Sequence, residues 1–344
     1  MVVNNFPDRI LTIDGAAYLY FGGTSYLGIA THPEFLQLLT ESLQQWGTAY
    51  GSSRNANITL SVYDRVETLL AEKTGAGAAA VVSSGTLAGK IVTENLLQTG
   101  VRFYHYPKTH PAILVTNSLS LLDAHSNIHP DLLNDIEEPI VITADAVLGL
   151  ATGPTDFDFL NTISKSKKIT LVLDESHSLG LLGEQGWGIF KSLNKYQLDR
   201  AILVSSLGKA MGISGGVIAS DTHFIKTIKN DALFVSSSGA NPAYFETFLK
   251  AQHIYLAQQE KLKNNLEFVR QHLKMQPKLH FNHNYPVIYV ISDTIFATLQ
   301  REKIIISSFK YPTYETRMNR IVITSNHTKD DLKKLIELLN RIEL

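Results

Sequence analysis

Residues 169–173, Ile-Thr-Leu-Val-Leu, form a strongly apolar run that stops at Asp174-Glu175-Ser176-His177. A strand with one wet face alternates polar and apolar residues. A strand apolar on both faces is buried on both, as in parallel sheets covered by helices. Four more short runs share this character: residues 79–82, which end at Ser83-Ser84-Gly85, then 140–143, 201–204 and 216–219. Helical spacing appears between them, with Val62, Val66, Leu69 and Leu70 on one side of residues 62–71, and a second helix over 86–97. The pattern predicts an α/β fold around a large, mostly parallel sheet. Ligands in such sheets bind near the carboxyl ends of the strands.

A long helical region from about Tyr244 to Leu273 is expected to close the large domain and lead into a smaller one. Residues 287–291 and 321–323 read as strands there. Thr328 suits the N-cap of the last helix, with Asp331 at its third position. The expected organisation is an N-terminal segment (1–45) serving the small domain and dimer contacts, a large domain (46–245), and a small C-terminal domain (246–344) that follows or includes the linking helix.

The 344 residues carry 31 Lys and Arg against 32 Asp and Glu, so no strong field draws nucleic acid or an anionic membrane. No apolar run is long enough for a membrane span. Residues 1–8 lack the pattern of a secretory signal, which makes the cytoplasm the expected location. The absence of cysteine excludes disulfides, thiolate metal sites and a cysteine nucleophile. The histidines form no ligand pattern, and no metal is expected.

Chemistry concentrates after the strands. Asp174 ends an apolar strand, where a carboxylate needs compensation for lost hydration. Alone it reads as a turn cap. Lys209 lies 35 residues on, among Ser205, Ser206, Gly208, Ala210 and Gly212. That setting leaves room for a planar ligand and favours loss of the ammonium proton. A surface lysine in a Gly/Ser loop is the plain alternative. Together the two suit an aromatic aldehyde cofactor, pyridoxal phosphate: Asp174 pairs with a protonated ring nitrogen, and Lys209 forms the Schiff base. His177 is placed to meet the ring oxygen or the substrate. Ser84-Gly85-Thr86 opens a helix whose N–H groups suit a phosphate, with Ser206 nearby in function. His110 suits stacking on the ring, with His105 its rival. Arg320 offers a fork for a carboxylate.

These motifs resemble the α-oxoamine synthases, fold-type-one pyridoxal-phosphate enzymes that include 8-amino-7-oxononanoate synthase. Residues 25–33, Ser-Tyr-Leu-Gly-Ile-Ala-Thr-His-Pro, resemble their Asn-Tyr-Leu-Gly-Leu-Ala…His-Pro stretch. Gly51-Ser52-Ser53-Arg54 resembles their Gly-Ser-Arg segment, Asp174-Glu175-Ser176-His177-Ser178 their Asp-Glu-Ala-His-Ser, and Ser206-Leu207-Gly208-Lys209 their cofactor-lysine segment. The resemblance implies an aspartate-aminotransferase-like fold, a homodimer, and condensation of a small amino acid with an acyl-CoA to an α-aminoketone. It implies that Lys209 is the covalent and acid–base group, that Asp174, His177 and His110 surround the ring, and that Ser84, Gly85, Thr86, Ser206 and Ser238 hold the phosphate, Ser238 from either subunit. Arg320, Ser25 and Arg54 would serve the substrate. The chain departs from the family at Tyr63 (usually His), at Thr86-Leu87-Ala88-Gly89 (where Asn usually follows Ser-Gly-aromatic-Ala), at His110-Pro111-Ala112 (usually His-Ala-Ser) and over residues 144–150. Another fold-type-one activity, as an aminotransferase, aldolase or decarboxylase, is the alternative; a non-catalytic partner subunit is the third reading.

Overall fold

The computed structural model describes residues 1–309 and 317–342. The chain begins with a hairpin, β1 (Ile10–Ile13) and β2 (Ala16–Phe21). Its two-residue turn, Asp14-Gly15, has positive φ at both positions (49° and 77°), which matches the right-handed twist of the strands. Helix α1 (Pro33–Trp46) begins with proline, whose missing N–H is no loss in the first turn. Helix α2 (Ser61–Thr74) stops at Gly75, which is left-handed at φ 78° and accommodates the cap without a Cβ clash.

The large sheet contains β3 (Ala78–Val82), β4 (Arg102–His105), β5 (Leu119–Ser120), β6 (Glu138–Asp145), β7 (Lys167–Asp174), β8 (Arg200–Ser206) and β9 (Gly216–Ser220), in the order β3-β9-β8-β7-β6-β4-β5. From β8 to β5 every neighbour is parallel; β9 runs antiparallel to both β8 and β3. The apolar runs are central because both faces are covered. On β7, Leu171 and Leu173 enter one core with Val66 and Leu70 of α2. Val172 enters another core with Ile91 of α3 (Gly85–Leu97) and Phe224 of α4 (Thr222–Lys229). Leu171 is fully buried, and its truncation to alanine would cost about 2–5 kcal/mol.

After α5 (Ala232–Ser236), the expected helix from Tyr244 to Leu273 is two helices, α6 (Pro242–Lys250) and α7 (Gln252–His272). Ala251 lies between them at φ −92°, ψ 13°. At the break, Gln252 donates its side-chain amide to the Phe248 carbonyl, so a side chain takes an acceptor that a continuous helix would use. The remaining strands are β10 (Leu279–Phe281), β11 (Val287–Val290), β12 (Ile304–Phe309) and β13 (Met318–Val322), with α8 (Ile295–Arg301) before β12. They join the N-terminal hairpin in a second sheet, β1-β2-β12-β13-β11-β10. Helix α9 (Lys329–Arg341) has the reciprocal cap foreseen for Thr328 and Asp331. No helix among the described residues is long and apolar enough to cross a membrane.

Candidate active site

The carboxyl ends of β6, β7 and β8 deliver the polar groups. Asp145 and Asp174 are register partners at the ends of β6 and β7. Asp174 is 8% exposed, and its Oδ1 accepts the Ser176 N–H at 2.8 Å, which turns the chain away from the strand. Its other oxygen is the one available to a ring N–H. Ser176 Oγ accepts the Ser206 N–H at 2.8 Å, so the turn after β7 is tied to the end of β8.

Lys209 follows in the loop after β8. Burial lowers its pKa, against the opposing pull of Asp174 and Asp145, and Arg320 lowers it further. His110 senses Asp174 and Lys209, and burial lowers its pKa. Its Nδ1 accepts the Ala112 N–H at 3.1 Å, which places the ring proton on Nε2. His177 is held well below the usual histidine pKa, first by burial and then by Lys209, Arg320 and His110. The fold therefore brings Asp174, His177, Lys209, His110 and Arg320 within mutual electrostatic reach. The rival His105 instead shares a hydrogen bond of 2.9 Å with Ser118 Oγ.

Ser84 caps α3 by accepting the Leu87 N–H at 3.2 Å. The start of α3 presses against β8 and β9: a Cβ on Gly85 would lie 2.6 Å from Ser206 N, and one on Gly216 would lie 2.2 Å from Ser84 O. Only glycine permits this approach, which brings the helix N–H groups beside Ser206. Ser84 and Thr86 remain exposed, and the Ser206 hydroxyl accepts the Gly208 N–H at 3.2 Å. This cradle of amides and hydroxyls fits a phosphate. With Asp174 and Lys209 at the same strand ends, the donors and acceptors present fit pyridoxal phosphate.

Arg320, in β13, is 9% exposed and donates from Nη2 to the Gly23 carbonyl at 3.2 Å. Its buried Nε has no hydrogen-bond partner among the described residues. A guanidinium with an unspent donor beside Lys209 is suited to a carboxylate. Ser25 is half-buried two residues beyond Gly23.

Two assignments part from this cluster. Arg54 donates to Glu67 Oε1 at 2.6 Å and to the Val81 carbonyl at 2.9 Å, and its guanidinium lies 4.2 Å from the Tyr63 ring centre. Both bonds come from Nη1 and brace α2 against β3. Ser238 is exposed after α5, next to Gly239, which abuts Tyr63 and Arg54.

Sequence reasoning passed over Asp145, Tyr26 and Tyr285. Asp145 Oδ1 accepts the His110 N–H at 3.2 Å, and burial, then Asp174, raises its pKa well above the carboxylate range. Its signal was present: like Asp174, it terminates a long apolar strand.

The family model for aminotransferase class I and II matches residues 24–339. The chain belongs to this family and is a pyridoxal-phosphate-dependent transferase of its α-oxoamine synthase branch. It is 27% identical to 8-amino-7-oxononanoate synthase of Hahella chejuensis over 350 residues, covering 96% of this chain and 88% of that one. The same enzyme of Azoarcus is 25% identical over 351 residues, covering 96% and 90%. Among solved structures, serine palmitoyltransferase of Sphingomonas wittichii superposes with a TM-score of 0.80 at 18% identity, covering 96% of this chain and 88% of that chain. The 8-amino-7-oxononanoate synthase of Francisella tularensis does so at 0.71 and 20%, covering 94% and 97%.

Proposed function

We propose that this chain condenses a small amino acid with an acyl-CoA, releasing CoA and carbon dioxide and yielding an α-aminoketone. The observation that carries this reading is the buried Lys209 amine, within electrostatic reach of Asp174 and of an Arg320 guanidinium with an unspent Nε donor. Bound pyridoxal phosphate supplies an aldehyde for Lys209 and an electron-poor ring that stabilises negative charge on the amino acid's α-carbon.

The residues divide the remaining work. Asp174 holds the ring N–H and keeps it charged. Ser84, Gly85, Thr86 and Ser206 hold the phosphate. Ser238 joins them from this subunit or the other of a homodimer. His110 packs on the ring face, and His177 donates to the ring oxygen. Arg320 grips the substrate carboxylate, with Ser25 beside it. Lys209, whose burial favours the neutral amine, would remove the α-proton. The resulting carbon nucleophile bonds to the thioester carbonyl carbon, and the CoA thiolate leaves. Loss of the carboxylate as carbon dioxide and protonation at the same carbon complete the product. Likeness to 8-amino-7-oxononanoate synthases supports this choice within the branch. A cytoplasmic location accompanies it, where free amino acids and acyl-CoA meet.

The test is visible spectroscopy of the cofactor-loaded protein, with glycine, alanine and serine each followed by a short acyl-CoA panel. The proposal expects a cofactor band absent from Lys209→Ala, and thiol release that requires both substrates. Conversion of the cofactor to its amine form by an amino acid alone would replace the reading with transamination.

A further inference from the structure

His177 is gripped at two points. The Tyr26 hydroxyl lies 3.0 Å from His177 Nδ1, and the Tyr285 hydroxyl donates to the His177 carbonyl at 3.0 Å. Tyr26 comes from the N-terminal segment and Tyr285 from the loop before β11, so two remote parts of the chain converge on one imidazole. Both tyrosines are nearly inaccessible, at 1% and 2% exposure. Tyr26 is itself fixed: its carbonyl accepts the Ser325 N–H at 3.0 Å, and its ring packs 6.3 Å from that of Tyr285. Its hydroxyl meets both His177 Nδ1 and the hydroxyl of Tyr285.

The proton assignment follows from the partners. A carbonyl only accepts, so the Tyr285 proton is committed to His177 O. Two acceptors are then left for the Tyr26 proton, the Tyr285 oxygen and, at 3.0 Å, His177 Nδ1. We infer that Tyr26 is a positioning residue: by donating to Nδ1 it locks His177 as the Nε2–H tautomer and presents that N–H to the ligand. That the acceptor is the cofactor's ring oxygen rests on the function proposed above; the lock itself does not. Lys209, Arg320 and His110 also face this imidazole and oppose its protonation, so the neutral ring must choose between two tautomers. Among the described residues, Tyr26 is the hydrogen-bond partner that Nδ1 has.

The experiment reads the histidine directly, by nitrogen-15 NMR of the cofactor-free protein, with His177→Gln used for assignment. Wild type should show a bare Nδ1 and a protonated Nε2. Tyr26→Phe should lose that single-tautomer signature. Tyr285→Phe, which removes the hydroxyl's contacts with the His177 carbonyl and with the Tyr26 hydroxyl but leaves the Tyr26–Nδ1 pair in place, should keep it even where stability falls. A protonated Nδ1 in wild type, or an unchanged tautomer in Tyr26→Phe, overturns the inference. In the loaded protein, Tyr26→Phe should shift the pH at which the visible band interconverts and weaken cofactor retention roughly three- to tenfold. A lock present in the free protein with no change in the loaded band would refute the ring-oxygen contact while leaving the tautomer assignment standing.

Discussion

Glu175 allows a stability measurement whose sign is unusual for a carboxylate. The side chain is fully buried, and its Oε1 accepts the N–H groups of Ile189 and Phe190, each at 2.7 Å, while Ser178 donates to its Oε2. These bonds fasten the Gly-rich loop behind the site to the end of β7. Burial nevertheless dominates and raises the pKa from 4.5 to about 7. The folded protein therefore binds this proton more tightly than the unfolded chain does. The contribution is complete below the unfolded pKa and disappears as pH rises through the folded one. Between pH 5 and 8 the loss is about 2.5 kcal/mol. Glu175→Gln keeps an acceptor for both backbone N–H groups. Its amide N–H faces Ser178 Oγ, whose proton has the Glu175 carbonyl at 3.1 Å as an alternative acceptor. Urea unfolding of the cofactor-free proteins at four pH values measures the effect. Wild-type stability minus variant stability should fall by about 2.5 kcal/mol from pH 5 to pH 8. His327, whose pKa burial lowers to about 4, acts in the opposite direction and cancels in this difference. A difference flat to within about 0.5 kcal/mol would refute the claim that desolvation outweighs the three hydrogen bonds.

Arg54→Met leaves the buried Glu67 carboxylate with Lys229 as its cation and the Val81 N–H as its other donor, and should cost about 3–5 kcal/mol by denaturation, with substrate KM little changed; a raised KM at unchanged stability would assign Arg54 to the substrate. Gly89→Ala places a Cβ 2.5 Å from the Ala112 carbonyl oxygen, beneath the turn that carries His110. It should cost about 1–3 kcal/mol and weaken cofactor retention in equilibrium dialysis, and unaltered retention would mean that the turn yields without moving His110. Thr328→Ala removes one half of the reciprocal cap of α9 and should lower stability by about 1 kcal/mol, read from the urea midpoint. Asp145→Asn mimics the protonated acid and should preserve the wild-type cofactor band near neutral pH, whereas Asp145→Ala frees the His110 N–H and should perturb it; equal effects would contradict the neutral form.

The sequence was most readable where burial is two-sided. Strands β6 to β9 have apolar residues on both faces, so their pattern survives without any knowledge of neighbours. β2 has only Phe21 buried outright, and its pairing with β12 depends on residues almost the full chain away, so no local pattern announced it. The break at Ala251 was invisible for a different reason. Alanine is the strongest helix former, so the identity of residue 251 gives no sign of the break, where the Gln252 side chain bonds the Phe248 carbonyl. In the site, Asp174, His177, Lys209 and Arg320 stood out because their spacing carries chemistry. Tyr26 and Tyr285 did not, since a buried tyrosine reads as core until the partner of its hydroxyl is known. For Arg54 the motif was legible, but its salt bridge to Glu67 was not.

The parallel pairing of Leu19 with Ile304 has a consequence for how the chain is made. The hairpin that contains Leu19 is synthesised about 285 residues before the strand that completes its sheet. At cellular elongation speeds the nascent chain waits roughly 15–60 s for that partner. All seven strands of the large sheet leave the ribosome during this interval, because β9 ends at Ser220. The waiting edge of β2 is the chain's exposure to mispairing during synthesis, and its closure by β12 is a late event that joins the oldest and youngest parts of the polypeptide.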